Sequence, residues 1–184
     1  MINEKFWKNK KVLITRHTGF KGRWLSILLE TLGAKTFGLS LNNKKNYKQL
    51  EYINFLSKKK SYNVDIRNKN DINKVITKIS PEIIIHMAAQ SKVIDSLNFP
   101  VETFETNFMG TVNILNVSVK LRKVKTILII TTDKVYENTN KTKKFSENDK
   151  LGGDDPYSAS KASTEIILNY YKKYFPEKKI ISVR

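Results

Sequence analysis

Apolar residues along this chain alternate between short continuous runs and longer stretches with helical spacing. Lys11, Val12, Leu13, Ile14 and Thr15 predict a first strand that ends in a turn. Over 23–32, Trp24, Leu25, Leu28, Leu29 and Leu32 recur on one side of a helix, which Gly33 stops. Segment 35–41 predicts a second strand, 47–57 a short helix and 62–64 a third strand. A helix over 71–79 is broken by Pro81. Ile83, Ile84 and Ile85 form the unbroken apolar run of a strand buried on both faces. A long helix is expected over 100–121, a fifth strand over 125–130, and a helix opened by Pro156 running to about 175. A sixth strand is expected over 179–183, and the polar, glycine-containing stretch 138–153 reads as a mobile loop.

This strand–helix alternation predicts a doubly wound parallel α/β sheet of the Rossmann type, three layers deep, with right-handed crossovers. Ligands of such sheets bind beyond the carboxyl ends of the strands. Chemistry is therefore expected just after Thr15, Asp65, His86 and Ile130.

Composition narrows the classes. The 184 residues fit one domain with a core of useful size. With no cysteine, a disulfide scaffold, a cysteine zinc site, an iron–sulfur cluster and a thiol nucleophile are excluded. Two histidines are too few for a metal site, so no metal is expected. No apolar run approaches the ~20 residues of a membrane span. The first residues also lack a secretory signal, so no membrane partner and a cytoplasmic location are expected. The net charge of +17 suggests polyanionic ligands. The excess is mostly lysine spread along the chain, without a helix-turn-helix, zinc-finger or aromatic RNA-binding signature. Non-specific adhesion to polyanions at low salt is expected, but no specific nucleic acid partner.

Two constellations carry candidate chemistry. The turn Arg16-His17-Thr18-Gly19-Phe20-Lys21-Gly22 lies between the first strand and first helix. Glycines at such a turn let the backbone approach a pyrophosphate, whose charge the helix N-terminus favours. The three-glycine pattern would occupy positions 16, 19 and 22, and the first of these is Arg16. A left-handed backbone at that position would cost a non-glycine residue about 1–2 kcal/mol. Its side chain would lie near the phosphates, where it could clash with them or pair with them. The second constellation follows strand five: Thr131-Thr132-Asp133-Lys134, then Tyr157 and Lys161 four apart on one helix face. A lysine beside a phenol stabilises phenolate, which suits Tyr157 to accept a hydroxyl proton, with Thr132 bonding the same oxygen. Lys161 could also hold a cofactor ribose.

Other features complete the series in order. They are Phe6-Trp7 before strand one, Trp24 after the turn, His86-Met87-Ala88-Ala89-Gln90 after strand four, Thr106-Asn107 with Gly110-Thr111, and Asp155-Pro156-Tyr157. Over nearly the whole chain they resemble the extended short-chain dehydrogenase/reductase family. Phe20-Lys21 within the turn and Lys134 after Asp133 point to its branch that dehydrates CDP-glucose. The resemblance implies NAD along the carboxyl edge of the sheet, with its pyrophosphate over Gly19 and Gly22 and with Thr18 and Phe20 beside it. Asp65 and Ile66 would flank the adenine; Ala88, Ala89, Gln90 and Asn107 would line the ribose–phosphate path. Tyr157 would take the proton of the sugar 4-hydroxyl while hydride passes to NAD. Lys134, or a water it holds, would assist loss of the C5 proton, and Asp133 would protonate the departing 6-hydroxyl. Hydride would then return to C6, with no net oxidation.

The resemblance further implies that 1–184 is the NAD-binding domain of a longer protein, its C-terminal sugar-nucleotide part absent. It also implies a homodimer through the helices near 100–120 and 156–175. Departures from the pattern are Arg16 and the pair Ser91-Lys92, which replaces Pro-Leu. Two other functions compete: an epimerase or reductase of the same fold, and a catalytically silent nucleotide-binding module. Of the remaining residues, Phe20 and Trp24 are expected to pack in the turn or core, and Tyr170, Tyr171 and Tyr174 along their helix. Glu165 is expected at a helix surface or cap, and His17 and His86 outside catalysis.

Overall fold

The computed structural model describes residues 3–41, 60–137 and 144–184; the helix expected over 47–57 lies outside them. Six strands form one parallel sheet: β1 (Lys11–Thr15), β2 (Lys35–Ser40), β3 (Ser61–Asn63), β4 (Ile83–His86), β5 (Thr126–Ile130) and β6 (Lys179–Val183). Their order, β3-β2-β1-β4-β5-β6, reverses between β1 and β4, which creates a crevice at the carboxyl ends of those two strands. The doubly wound Rossmann-type sheet expected from the alternation is therefore present.

Among the described residues the α-helices are α1 (Glu4–Trp7), α2 (Phe20–Thr31), α3 (Lys69–Ile79), α4 (Val93–Asn98), α5 (Pro100–Phe104), α6 (Gly110–Ser118) and α7 (Pro156–Tyr174). Local chemistry sets their ends. Asn68 caps α3 by accepting from the N–H groups of Asn70 and Asp71, and Ser80 leaves it in a left-handed turn (φ 48°) just before Pro81. Asp155 caps α7 by accepting from Ser158 N–H, with Pro156 in the first turn.

Each sheet face has its own apolar cluster. Leu13, Ile84 and Ile127 pack with Ile76 of α3, Leu115 of α6 and Leu168 of α7. Val12, Ile14 and Ile85 pack on the other face with Leu29 of α2 and Trp7 of α1. On that second face the register pairs Leu128 with Ile181 and Ile130 with Val183. Leu128 is half-buried against this cluster and Ile130 is half-buried, while at the edge Ile181 is half-buried and Val183 is exposed.

Three elements differ from expectation. First, the buried side of α2 is Gly22, Ser26 and Leu29, whereas Trp24 is 57% and Leu28 44% exposed. Of the expected stripe, Leu29 is in the core and Leu25 packs against it, but small residues bring the start of α2 so close to the turn that Trp24 and Leu28 face outward; a Cβ at Gly22 would meet Arg16 O at 2.3 Å. Phe20, expected to pack, is 80% exposed. Second, the long helix is preceded by the short α4 and is interrupted by one π turn, Glu105–Met109, between α5 and α6. Third, the described part of the loop expected at 138–153 is held in place. Tyr136 bridges Leu151, Gly152 N–H donates to Val135 O at 2.8 Å, and the Tyr136 and Phe145 rings stack at 4.9 Å.

Candidate active site

At the mouth of the crevice, Arg16 adopts the left-handed conformation (φ 56°) that its place in the glycine turn demands. Gly19 N–H donates to Arg16 O at 3.0 Å, which closes the turn and starts α2. The Arg16 side chain runs over Gly19, where a Cβ would meet its Cγ at 3.3 Å and its Nε at 3.4 Å. Its Nη1 then donates to Ala89 O at 3.0 Å and Ser91 Oγ at 3.2 Å, joining the loops after β1 and β4.

Buried polar contacts fix both loops. Thr15 Oγ1 accepts from the N–H groups of Met87 and Ala88, both at 2.9 Å, and lies 2.9 Å from His86 Nδ1. His86 Nε2 lies 3.1 Å from Thr111 Oγ1, which donates to Asn107 O at 2.6 Å. Burial, with the Lys161 charge adding, pushes the His86 pKa down to about 3, so the ring is neutral. His17 holds the turn against the sheet: its ring lies over Gly38, and its Nε2 is 2.8 Å from Ser61 Oγ.

Asn107 is fully buried in the π turn. Its amide accepts from Gln90 N–H (2.8 Å) and donates to Gln90 O (2.9 Å) and Ser160 Oγ (3.0 Å). Its place is therefore behind the loop it holds, which reaches the crevice through Gln90.

The crevice has two lobes with Arg16, Gly19, Ala89 and Ser91 in common. One, of about 380 Å³, is lined by Thr18, Asp65, Ile66, Ala88 and Gln90. Asp65 pairs with Arg67 at 2.6 Å, and that hydrogen bonding holds its carboxyl below the usual range. The other, of about 350 Å³, is lined by Phe20, Gly22, Ile130, Thr131, Tyr157 and Lys161. Lys161 is 3% exposed, and its Nζ donates to Ile130 O at 2.9 Å. Burial, then the Arg16 charge, lowers its pKa to about 8 against the opposing pull of Glu165. Tyr157 N–H donates to Ser96 Oγ of α4 at 3.2 Å, so the start of α7 is tied to a helix the periodicity did not predict.

Thr132, Asp133 and Lys134 follow the lobe-lining Thr131 but line neither lobe. Thr132 caps a 3-10 turn, Asp133–Val135, accepting from Lys134 N–H at 3.3 Å and donating to Asp133 Oδ1 at 3.0 Å. Asp133 and Lys134 are exposed. The structure thus gathers Gly19, Gly22, Tyr157 and Lys161 around one lobe and sets the acid–lysine pair outside it.

Glu165 departs from its expected surface place: it is 4% exposed. It accepts from Thr131 Oγ1 and pairs with Arg184 Nη2 at 3.1 Å. Burial raises its pKa, but the hydrogen bonds from Arg184, Thr131 and Ser182 outweigh it and leave the carboxyl below its ordinary value. The signal was its spacing, four residues beyond Lys161 on the same helix stripe.

The turn fits a dinucleotide in backbone terms. Gly22 has no room for a side chain, and Arg16 supplies the left-handed residue. A pyrophosphate resting on Gly19 requires the Arg16 side chain to move aside or close over it.

A protein-family model described as GDP-mannose 4,6 dehydratase matches residues 13–183. The chain is 38% identical over 175 residues to a CDP-glucose 4,6-dehydratase of Salmonella typhimurium, covering 95% of this chain and 49% of that protein. It is 28% identical over 181 residues to a CDP-paratose 2-epimerase of Salmonella typhi, covering 90% and 54%. Among solved structures, the UDP-glucose 4-epimerase of Thermus thermophilus in complex with NAD superposes with a TM-score of 0.81 at 26% identity, covering 95% of this chain and 54% of that one. The Thermotoga maritima UDP-glucose 4-epimerase with UDP-glucose gives 0.82 at 23% identity, with the same coverage, a likeness of fold. The chain spans about half the length of the curated relatives it matches. With a match from the first strand to the last on a sheet of the same architecture, the chain belongs to the GDP-mannose 4,6-dehydratase family of Rossmann-type enzymes.

Proposed function

We propose that this chain is the NAD-binding part of a nucleotide-sugar 4,6-dehydratase that converts CDP-glucose to its 4-keto-6-deoxy product. The observation that carries the reading is the lobe in which Tyr157 and Lys161 face the Gly19–Gly22 turn. The 38% identity to a CDP-glucose 4,6-dehydratase supports the substrate.

Thr18, Gly19, Phe20 and Gly22 would hold the dinucleotide at the turn, with Asp65 and Ile66 at its adenine end and the Ala88–Gln90 loop along its middle. NAD, when bound, supplies the hydride acceptor for oxidation at C4 and the donor for reduction at C6. Tyr157 accepts the 4-hydroxyl proton. Lys161, with one N–H spent on Ile130 O, keeps two for the ribose and the tyrosine oxygen. Thr132 bonds the sugar oxygen. Once C4 is a ketone the C5 proton is acidic; Lys134 assists its removal and Asp133 protonates the leaving 6-hydroxyl. A homodimer is part of the reading, because Val101 (70%), Ile166 (60%) and Tyr174 (61%) leave apolar surface on α5 and α7.

The exposed Asp133 and Lys134 favour a second reading, a dinucleotide-binding module without dehydratase turnover. Calorimetric titration with NAD, followed by product analysis with CDP-glucose, separates the two. The dehydratase reading expects saturable NAD binding, tighter in Arg16→Gly, and a 4-keto-6-deoxy sugar nucleotide. Binding without product supports the silent module, and binding by neither chain rejects both.

A further inference from the structure

The net charge of +17 is not spread evenly over this fold. The helices return to the sheet through connections at the amino ends of the strands, the edge opposite the crevice, and exposed lysines gather there. Lys35 opens β2, Lys11 opens β1, Lys125 immediately precedes β5 and Lys179 opens β6. Their backbones form one row across the sheet. Lys35 N–H donates to Lys10 O (2.8 Å), Glu82 N–H to Lys11 O (2.9 Å), Lys125 N–H to Glu82 O (2.8 Å) and Lys179 N–H to Lys125 O (2.9 Å). The row runs from β2 to β6, about 19 Å at the usual strand spacing.

Beside this row, Lys120, Arg122 and Lys123 are exposed in the connection from α6 to β5, and Lys8 is exposed where α1 leads into β1. Against these cations the edge sets Glu82, taken by Lys10 at 2.7 Å, Glu30, taken by Lys60 at 3.7 Å, and Glu177. Lys35, Lys123, Lys125 and Lys179 hold no ion pair among the described residues. Around the crevice the balance is different. Arg67 pairs with Asp65 and Glu102, Lys92 with Asp95, Lys150 with Glu137 and Arg184 with Glu165. The chain is therefore a charge dipole, its positive end turned away from the crevice.

Three observations say which polyanion fits that end. The cations come from both faces of the sheet, since α1 and α2 lie on one and α6 and α7 on the other. They spread in two dimensions, so a planar partner reaches all of them, whereas a nucleic-acid duplex reaches one line. All of the cations named on this edge except Arg122 are lysines, point charges without the bidentate fork that suits phosphodiester recognition. An apolar ring stands among them: Phe6, flanked in sequence by Lys5 and Lys8, is 49% exposed. Lysines around an exposed aromatic side chain suit a lipid headgroup layer, the ring entering it while the ammonium groups meet its anions.

We propose that the amino edge of the sheet is a docking face for an anionic lipid bilayer, held by the lysine row and Phe6, with the crevice turned towards water. The attachment is peripheral; among the described residues no helix is long and apolar enough to cross a membrane. The inference is independent of the reading of the crevice.

The test is co-sedimentation of the purified chain with vesicles at physiological ionic strength. The vesicles are phosphatidylcholine alone, or phosphatidylcholine mixed with an equal amount of phosphatidylglycerol. Two triple variants of equal net charge are compared: Lys123→Gln with Lys125→Gln and Lys179→Gln on the edge, and Lys69→Gln with Lys74→Gln and Lys150→Gln away from it. Circular dichroism confirms that both keep the parent fold, since all six side chains are exposed. The parent should partition onto the mixed vesicles about tenfold or more above the neutral ones. At about 1 kcal/mol per lysine, the edge triple should lose about a hundredfold of that partition, and the control triple less than about tenfold. Equal partition onto both vesicles would overturn the proposal and assign the binding to apolar surface. Equal losses in the two triples would overturn it in favour of net charge alone. Tighter binding to a mixed-sequence DNA duplex at the same phosphate concentration, lost in the edge triple, would overturn it in favour of nucleic acid.

Discussion

Thr15 Oγ1 accepts two backbone N–H groups, so its own proton must go to His86 Nδ1. That leaves the His86 proton on Nε2, donating to Thr111, whose hydroxyl passes on to Asn107 O. A one-way chain of donors thus links the loop after β4 to the π turn and needs a neutral imidazole. Lys161 stands at the same scale with the opposite problem, an ammonium buried beside another cation. Its pKa of about 8, against 10.5 for a free lysine, means that the folded chain binds less proton than the unfolded chain between those values. Lys161 therefore costs stability below about pH 8, and the cost is relieved as pH rises towards 10.5. Relative to Lys161→Met, the wild-type Tm should be lower at pH 7 and should gain on the variant up to pH 10, as followed by circular dichroism. A constant difference across that range would show that the ammonium is not desolvated. The sequence identified Lys161 by its spacing from Tyr157, but its burial depends on strand β5, whose Ile130 carbonyl it meets. Arg16 was legible as a departure from the glycine pattern, and its left-handed φ agrees. The direction of its side chain is set by Ala89 and Ser91, far away in sequence, which no local pattern encodes.

Among the elements, the strands, the end of α3 and the start of α7 were readable because their determinants are local: apolar runs, Pro81 and Pro156; the start of α3, expected at 71, lies at Lys69, where Asn68 caps it. Periodicity placed Leu25 and Leu29 of α2 on the core, but it ranks large residues above small ones and so missed that Gly22 and Ser26 make the close contact while Trp24 and Leu28 face outward. The π turn was equally hidden. Its reason is Asn107, which the extra residue per turn places where it can hold both backbone groups of Gln90. Asn107→Leu should therefore strand the Gln90 N–H and carbonyl and cost about 2–4 kcal/mol in urea unfolding. It should also weaken dinucleotide binding, since the loop would no longer be fixed. A variant as stable as the parent would mean that the amide holds nothing the fold requires.

On the scale of the whole molecule, the doubly wound parallel sheet with right-handed crossovers was legible from the strand–helix alternation, whereas the strand order β3-β2-β1-β4-β5-β6 is known from the structure. The covering of the sheet was not legible either. The second face carries α1 and α2 over β1 and β4, with Leu128 half-buried against that cluster, while at β6 Ile181 is only half-buried and Val183 is exposed. A sheet with such a strip, and with β6 as a free edge among the described residues, is adhesive: apolar side chains and unpaired backbone groups lie together at one border. The chain alone should bind a hydrophobic reporter dye in its native state and should scatter light increasingly with concentration. Ile181→Thr with Val183→Thr should reduce both signals while the far-ultraviolet spectrum stays the same. Handling of the protein follows from this strip as much as from its charge. Added salt will loosen polyanions from the +17 surface and at the same time strengthen association through the uncovered strands. Solubility should therefore pass through a maximum at intermediate ionic strength.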